Sequence, residues 1–369
     1  MRSSDKTKSK GDAPAGPRPA SLKDMAEQLA LSPATLSIVL NGSPGSDAIP
    51  QETQDRIFAE ARRLNYRPNF LARSLRARRS FSVGVMIPEL SDGYSALVLS
   101  GIEDYLLSVG YIFLVASHRH DPKLIEKHPQ LLHDRSVEGL IGVDTPIQKP
   151  LPMPVVSVSG HGHVPGITNI VLDHDRAAEL ALEHLMALGH RHIAFCKGQA
   201  FSSDTDVRWK AIVKTARRLR LRIAKELVTQ LEGQTPSPEV GYIAARKILA
   251  SGKFFTAYFA FNDIAAFGAI RAFREAGFGV PEDISVVGFD DVSQAAYHIP
   301  ALTTIRQPLA EMGALAAKTL IERINSDKPM ERSETLQVLP ALIARESTGP
   351  APPASGPKGH SLLIRALKK

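Results

Sequence analysis

The sequence predicts a multidomain chain, a small all-α head followed by a larger α/β body, and three observations carry that expectation. Its 369 residues exceed what one hydrophobic core usually holds and suit two or three domains. Two short helical patterns joined by two or three residues lie between Ser21 and Gly42. From Phe81 onward the period changes, and short runs rich in Val, Ile and Phe alternate with helical patterns, as parallel sheets with crossover helices require.

Residues 1–20 are polar and rich in Pro and Gly, so they are expected to be a disordered basic tail. Ser21 and Asp24 then form an S-x-x-D start signal for a helix from Leu22 to about Leu29. Leu22, Met25, Ala26 and Leu29 fall on one face of it. Ser32 caps a second helix, with Pro33 at the first position, where its missing N–H costs nothing. Leu36, Val39 and Leu40 give that helix a buried stripe before Asn41-Gly42 ends it. Two helices so joined are a helix-turn-helix. Such a hairpin also occurs in proteins that never meet nucleic acid, and charge separates the two readings. Residues 1 to 80 carry 14 Lys and Arg against 8 Asp and Glu, whereas residues 81 to 348 carry 27 against 30. The basic excess sits in the head and in the C-terminal tail, as expected of a head that meets a phosphate backbone.

In the body, FSVGVMIPEL, YIFLVASHR, VEGLIGVDT, PVVSVSG, HIAFCKG, LVTQLEG, TAYFAFND and DISVVGFDD read as strands. Helical patterns cover Ser95 to Val109, Asp175 to Leu188, Asp206 to Leu219, Ser237 to Ala250, Asp263 to Ala276 and Leu309 to Asn325. Ligands of open α/β sheets bind outside the carboxyl ends of the strands. That rule selects Ser91 to Ser95, His118 to Asp121, Asp144, Ser159, Asn262 with Asp263, and Asp290 with Asp291. The lone Cys196 excludes a disulfide within the chain. The sequence has no 18-residue apolar run and no signal-peptide core, so a cytoplasmic protein is expected. No Gly-rich phosphate motif or nucleophile-base arrangement appears, and His118, His120, Asp121, His161 and His163 lack the spacing of a structural metal site. Neither enzymatic activity, cofactor nor metal is expected. The basic run RWKAIVKTARRLRLRIAK has an apolar face of Trp209, Ile212, Val213 and Ala216, and reads as a solvated amphipathic helix.

Five segments match in order and spacing those of one family: SPATLS, LNYRPNFLARSL, VGVMIPEL, FNDIAAFGAIRAFREAG and ISVVGFDDV with IPALTTIRQP. On these the chain, from about Ser21 to Ser347, resembles the LacI/GalR family of bacterial transcription regulators. The resemblance implies a lambda-repressor-like helix-turn-helix head at 21–66 and a hinge helix at 67–80. It further implies a two-lobed, periplasmic-binding-protein-like (type I) sensor at 81–347, with 348–369 a disordered Pro/Gly-rich tail. Lobe 1 would comprise about 81–172 and 308–335, and lobe 2 about 173–306 and 336–347, with chain crossings near Leu172, Gln307 and Leu336. A homodimer on palindromic operator DNA follows, with a tetramer as the alternative assembly.

Within the head, Ser21, Thr35, Ser37 and Asn41 have short polar groups suited to phosphates, while Pro33 and Ala34 sit where base edges are met. Lys23, Ser32 and Arg76 complete the expected DNA-binding set, and Leu75 resembles the family's minor-groove lever. The hinge segment Asn69 to Ala77 is too short to be a stable helix alone. The resemblance places Arg208, Asn262 and Asp290 around a small effector, typically a sugar, with Tyr94 and Asp173 beside them. The alternative is that Asp290 and Asn262 merely cap following helices. A neutral carbohydrate is the first choice of effector, with a purine or an acid next. Four departures from the family pattern stand out: Asp92-Gly93-Tyr94-Ser95 after the first strand, Ile38 in place of an Arg, and Asn65 and Ala30 in place of Gly. The competing function is a solute-binding or sugar-processing protein whose helical head binds no DNA.

Overall fold

The computed structural model describes residues 21–42, 45–66, 74, 79–91, 93–233, 237–326 and 333–353. Leu75 and Arg76 lie outside them, as do residues 1–20 and most of the hinge. The chain divides into two compact units, Met1–Arg79 and Ser80–Lys369.

Among the described residues the first unit holds the helices α1 (Leu22–Leu29), α2 (Pro33–Leu40) and α3 (Gln51–Arg63). Ser21 and Asp24 form the full capping box at α1, and the Ser32 hydroxyl accepts the Thr35 N–H at α2. Met25, Ala26, Leu36, Val39 and Ile57 make a small core between the three helices. Ala30 and Asn65 both take left-handed backbone angles, φ 53° and 48°. Each ends a helix in the same way: the next residue's N–H reaches back five positions, Leu31 to Ala26 and Tyr66 to Ala61.

Among the described residues the second unit forms two six-stranded sheets. Lobe 1 contains β1 (Ser82–Ile87), β2 (Ile112–Ser117), β3 (Leu140–Val143), β4 (Val155–Val158), β5 (Ile167–Leu172) and β11 (Glu334–Val338), ordered β11-β5-β4-β3-β1-β2 and wholly parallel. Its helices are α4 (Gly93–Ser108), α5 (Pro122–His133) and α11 (Leu309–Ile324). Lobe 2 contains β6 (Ile193–Lys197), β7 (Val228–Gln230), β8 (Ala257–Phe259), β9 (Ser285–Asp290), β10 (Thr303–Arg306) and β12 (Ala341–Ile343), ordered β12-β10-β9-β8-β6-β7. Only its β10–β12 pairing is antiparallel. Its helices are α6 (His174–Ala187), α7 (Ser203–Arg218), α8 (Pro238–Ala250), α9 (Asp263–Glu275) and the short α10 (Ser293–Tyr297). The central strands are buried on both faces, which explains their continuous apolar runs.

Two sequence expectations are corrected. The third crossing between lobes falls between Val338 and Ala341 rather than near Leu336, because β11 stays paired with β5 through Val338↔Leu172. Residues 348–351 are not a free tail but a strap on lobe 2. Thr348 Oγ1 meets His184 Nε2 and Thr303 Oγ1, Gly349 exchanges hydrogen bonds with Ser285, and Ala351 N–H donates to the Leu188 carbonyl. The basic run in α7 behaves as an amphipathic helix: Ala211, Ile212 and Ala216 are buried, while Lys214 and Arg218 pair with Asp175, Glu179 and Glu183 at the surface. Among the described residues, no helix is long and apolar enough to cross a membrane.

Candidate functional site

In the head, Lys23, Ser32, Pro33, Ala34 and Asn41 are exposed, and Thr35 and Ser37 are half-buried. Most of the polar groups assigned to DNA already have a local partner. Ser21 and Ser32 are caps, Ser32 Oγ and Thr35 Oγ1 lie 2.9 Å apart, and the Asn41 amide donates to the Ser37 carbonyl at 2.7 Å. These bonds fix the side chains on the open face of α2's first and last turns, while Leu36 and Val39 hold the opposite face to the core beside Met25 of α1.

In the sensor, β1 and β3 of lobe 1 and β6, β8 and β9 of lobe 2 end at one cleft. It narrows to a cavity of about 70 Å³. Four of the five residues assigned to the effector, Tyr94, Arg208, Asn262 and Asp290, line it. The fifth, Asp173, does not: its carboxylate accepts the Arg176 N–H and caps α6, so local capping uses the group that was assigned to the ligand. The capping reading of Asn262 is realised as well, since its Oδ1 accepts the Ala265 N–H at 2.9 Å. Asp290 does not cap a helix through its side chain in the same way; its Oδ1 accepts from Gln307 Nε2 at 2.6 Å.

The Arg208 guanidinium is the most constrained group in the cleft. Nη1 donates to the Phe261 carbonyl at 2.5 Å and Nη2 to Asp204 Oδ2 at 3.2 Å, while the Phe289 and Phe261 rings lie 3.6 and 4.4 Å from its central carbon. Such a sandwich fixes the plane of the fork. Tyr94 Oη lies 2.6 Å from Ser159 Oγ. Burial, then the charges of Asp204 and Asp144, push its hydroxyl well above the ordinary phenol range, so it stays a neutral donor and acceptor. Burial and the charge of Asp290 likewise push the Asp263 carboxyl well above the usual range. Asp263 accepts from Thr304 Oγ1 and the Val292 N–H, and so braces the loop after β9 rather than facing the cavity.

Several residues at the cleft were not singled out from the sequence. Gln199, Asp204 and Gln307 line the cavity, and Ser203 Oγ, 2.7 Å from Asp144 Oδ1, joins the lobes. His120 stacks on Phe201 of the other lobe with ring centroids 3.8 Å apart. A backbone signal marks the region: His120, Asp144, Ser159 and Asp290 all have positive φ. Non-glycine residues in that region cost energy and concentrate at ligand sites. Three buried side chains also keep one polar atom without a partner among the described residues, namely Gln199 Nε2, Arg208 Nε and Gln307 Oε1.

A helix-turn-helix head joined to a two-lobed, ligand-cleft sensor defines a class of ligand-controlled DNA-binding proteins. Comparison with known proteins agrees. Residues 182–348 match the periplasmic binding protein-like domain family. The chain is 31% identical over 338 residues to the HTH-type transcriptional repressor PurR of Aliivibrio fischeri, covering 89% of this chain and 98% of that one. The PurR of Haemophilus influenzae is 29% identical over the same shares of the two chains. Among solved structures, the lac repressor dimer bound to operator and the anti-inducer ONPF superposes with a TM-score of 0.76 at 26% identity, over 90% of this chain and all of that one. A periplasmic binding protein/LacI transcriptional regulator from Alkaliphilus metalliredigens, complexed with D-xylulofuranose, gives 0.64 at 26% identity over 73% and 99%. The chain belongs to the LacI family of transcriptional regulators and is not an enzyme.

Proposed function

We propose that the chain represses transcription as a homodimer on a palindromic operator, and that a sugar or sugar derivative bound in the sensor cleft controls its affinity for that DNA. The observation that carries the sensing half is the set of unpartnered polar atoms around the cavity. Gln199 Nε2 and Arg208 Nε are donors in want of acceptors, and Gln307 Oε1 is an acceptor in want of a donor. A ligand hydroxyl supplies both functions at once, so several hydroxyls on one ring satisfy such a set. The Asn262 and Asp290 side chains add a donor and an acceptor at the same wall. The D-xylulofuranose complex of a relative is consistent with this reading.

Lys23, Ser32, Pro33, Ala34, Thr35, Ser37 and Asn41 are the head's contacts to DNA, with Leu75 of the hinge segment as the minor-groove lever and Arg76 as a further DNA contact. Dimerisation is supported by the apolar side chains Leu107, Val109, Ile112 and Val115, which lobe 1 exposes at the end of α4 and along its edge strand β2.

Isothermal calorimetry tests the cleft, using the sugar that most raises the melting temperature of the full chain. Asp290→Ala and Gln307→Ala are each expected to weaken binding by about tenfold or more, the loss typical of one buried hydrogen bond. Unchanged affinity in both variants places the ligand elsewhere.

A further inference from the structure

Deep in the cleft, three side chains with metal-ligating atoms converge from both lobes. His161 lies in the loop after β4 of lobe 1, His174 is the first residue of α6 and Asp204 lies in the first turn of α7. His161 Nε2 and His174 Nε2 lie 2.7 and 3.3 Å from the same oxygen, Asp204 Oδ1, and the three ligand atoms sit within 4.8 Å of one another. Two imidazole nitrogens and one carboxylate oxygen are the donor set of a two-His-one-carboxylate site, whose bonds of about 2.0–2.2 Å set neighbouring ligand atoms roughly 3 Å apart.

Hydrogen bonding alone serves this cluster poorly. Both rings compete for one oxygen, and His174, 4% exposed, leaves its Nδ1 without a partner among the described residues. Arg208 Nη2 holds the other oxygen, Asp204 Oδ2, which fixes the carboxylate plane and leaves Oδ1 for the histidines. Asp204 also borders the ligand cavity, where its Oδ2 is paired with Arg208. Access comes from two sides, since Asp204 borders the ligand cavity and His161 an adjoining one of about 250 Å³.

We propose that His161, His174 and Asp204 bind a first-row divalent cation such as zinc or cobalt(II), with water in the remaining positions. The ion joins lobe 1 to lobe 2, so its binding favours one angle between them. The site shares Asp204 with the wall of the ligand cavity, so its test uses the metal alone, with no sugar present.

The full chain, freed of metal by a chelator, is titrated with cobalt(II) chloride while its visible absorption is followed, and zinc chloride is then added in competition. One equivalent of cobalt is expected to saturate a ligand-field band that zinc removes, and either metal is expected to raise the melting temperature. His161→Ala and His174→Ala are expected to abolish the band, whereas His118→Ala, in the other histidine cluster, keeps it. Circular dichroism confirms that each variant is folded. Lack of saturable uptake at one equivalent by the parent chain overturns the proposal, and so does uptake that survives both substitutions.

Discussion

His118 is held neutral by its neighbours. Its Nδ1 accepts the His120 backbone N–H at 3.1 Å, so the proton belongs on Nε2, which lies 3.0 Å from Thr145 Oγ1. That hydroxyl in turn donates to the Val143 carbonyl at 2.8 Å. Burial lowers the pKa of both His118 and His120 to about 4, from 6.5. The unfolded chain therefore takes up protons near pH 6.5 that the folded chain refuses. Stability contributed by these rings is complete above about pH 6.5, declines as the pH falls toward about 4, and is gone below it. Thermal melts across this range test the sign. His120→Phe keeps an aromatic ring against Phe201 and removes one titrating group, so its melting temperature is expected to fall less than the parent's between pH 6.5 and 4. Parallel curves contradict this account. At the same scale, Tyr94, Asn262 and Asp290 were legible because a rule about strand ends and the family resemblance both pointed at them, and Arg208 from the resemblance alone. Asp204, His161 and His174 were not, because they are far apart in sequence and only the meeting of the two lobes makes them one cluster.

Helix packing in each lobe depends on reciprocal close approaches at glycine. A Cβ at Gly101 of α4 would lie 1.8 Å from the Ala310 carbonyl of α11, and one at Gly313 of α11 would lie 2.0 Å from the Val98 carbonyl of α4. The same device joins α8 to α9, where a Cβ at Gly268 would collide with the Pro238 carbonyl and one at Gly241 with the Ala265 carbonyl. Backbone cannot yield as a flexible side chain does, so Gly268→Ala is expected to force the helices apart. A loss of about 1–3 kcal/mol, typical of overpacking, is predicted from urea unfolding; an unchanged midpoint contradicts the close approach. Legibility of the elements followed their apolar pattern. Strands such as β1 and β9, buried along their length, were plain. By contrast, β11 is an edge strand with mostly exposed or half-buried side chains, and β5 includes the polar but buried Thr168 and Asn169. Neither has the run that marks a strand. Helix α5 carries Pro129 inside it, and α3 buries only Ile57 of its thirteen residues.

At the scale of the molecule, the order of head and sensor was legible from the change of period at Phe81 and from the charge excess in residues 1 to 80. The lobe boundary near Leu336 was not, since a strand that crosses two residues later leaves no mark in composition. The assembled account makes one demand on the whole chain: a ligand in the cleft must change the affinity of the head for DNA, and the DNA must change the affinity for the ligand by the same factor. Fluorescence anisotropy measures this directly, on duplexes enriched by the full chain from a random pool and with the sugar that most stabilises it. The account predicts an enriched palindrome, binding that weakens steeply with salt, and equal factors for ligand on DNA affinity and DNA on ligand affinity. A pool in which no palindrome rises above random duplex, or a DNA affinity that saturating ligand leaves unchanged, contradicts it.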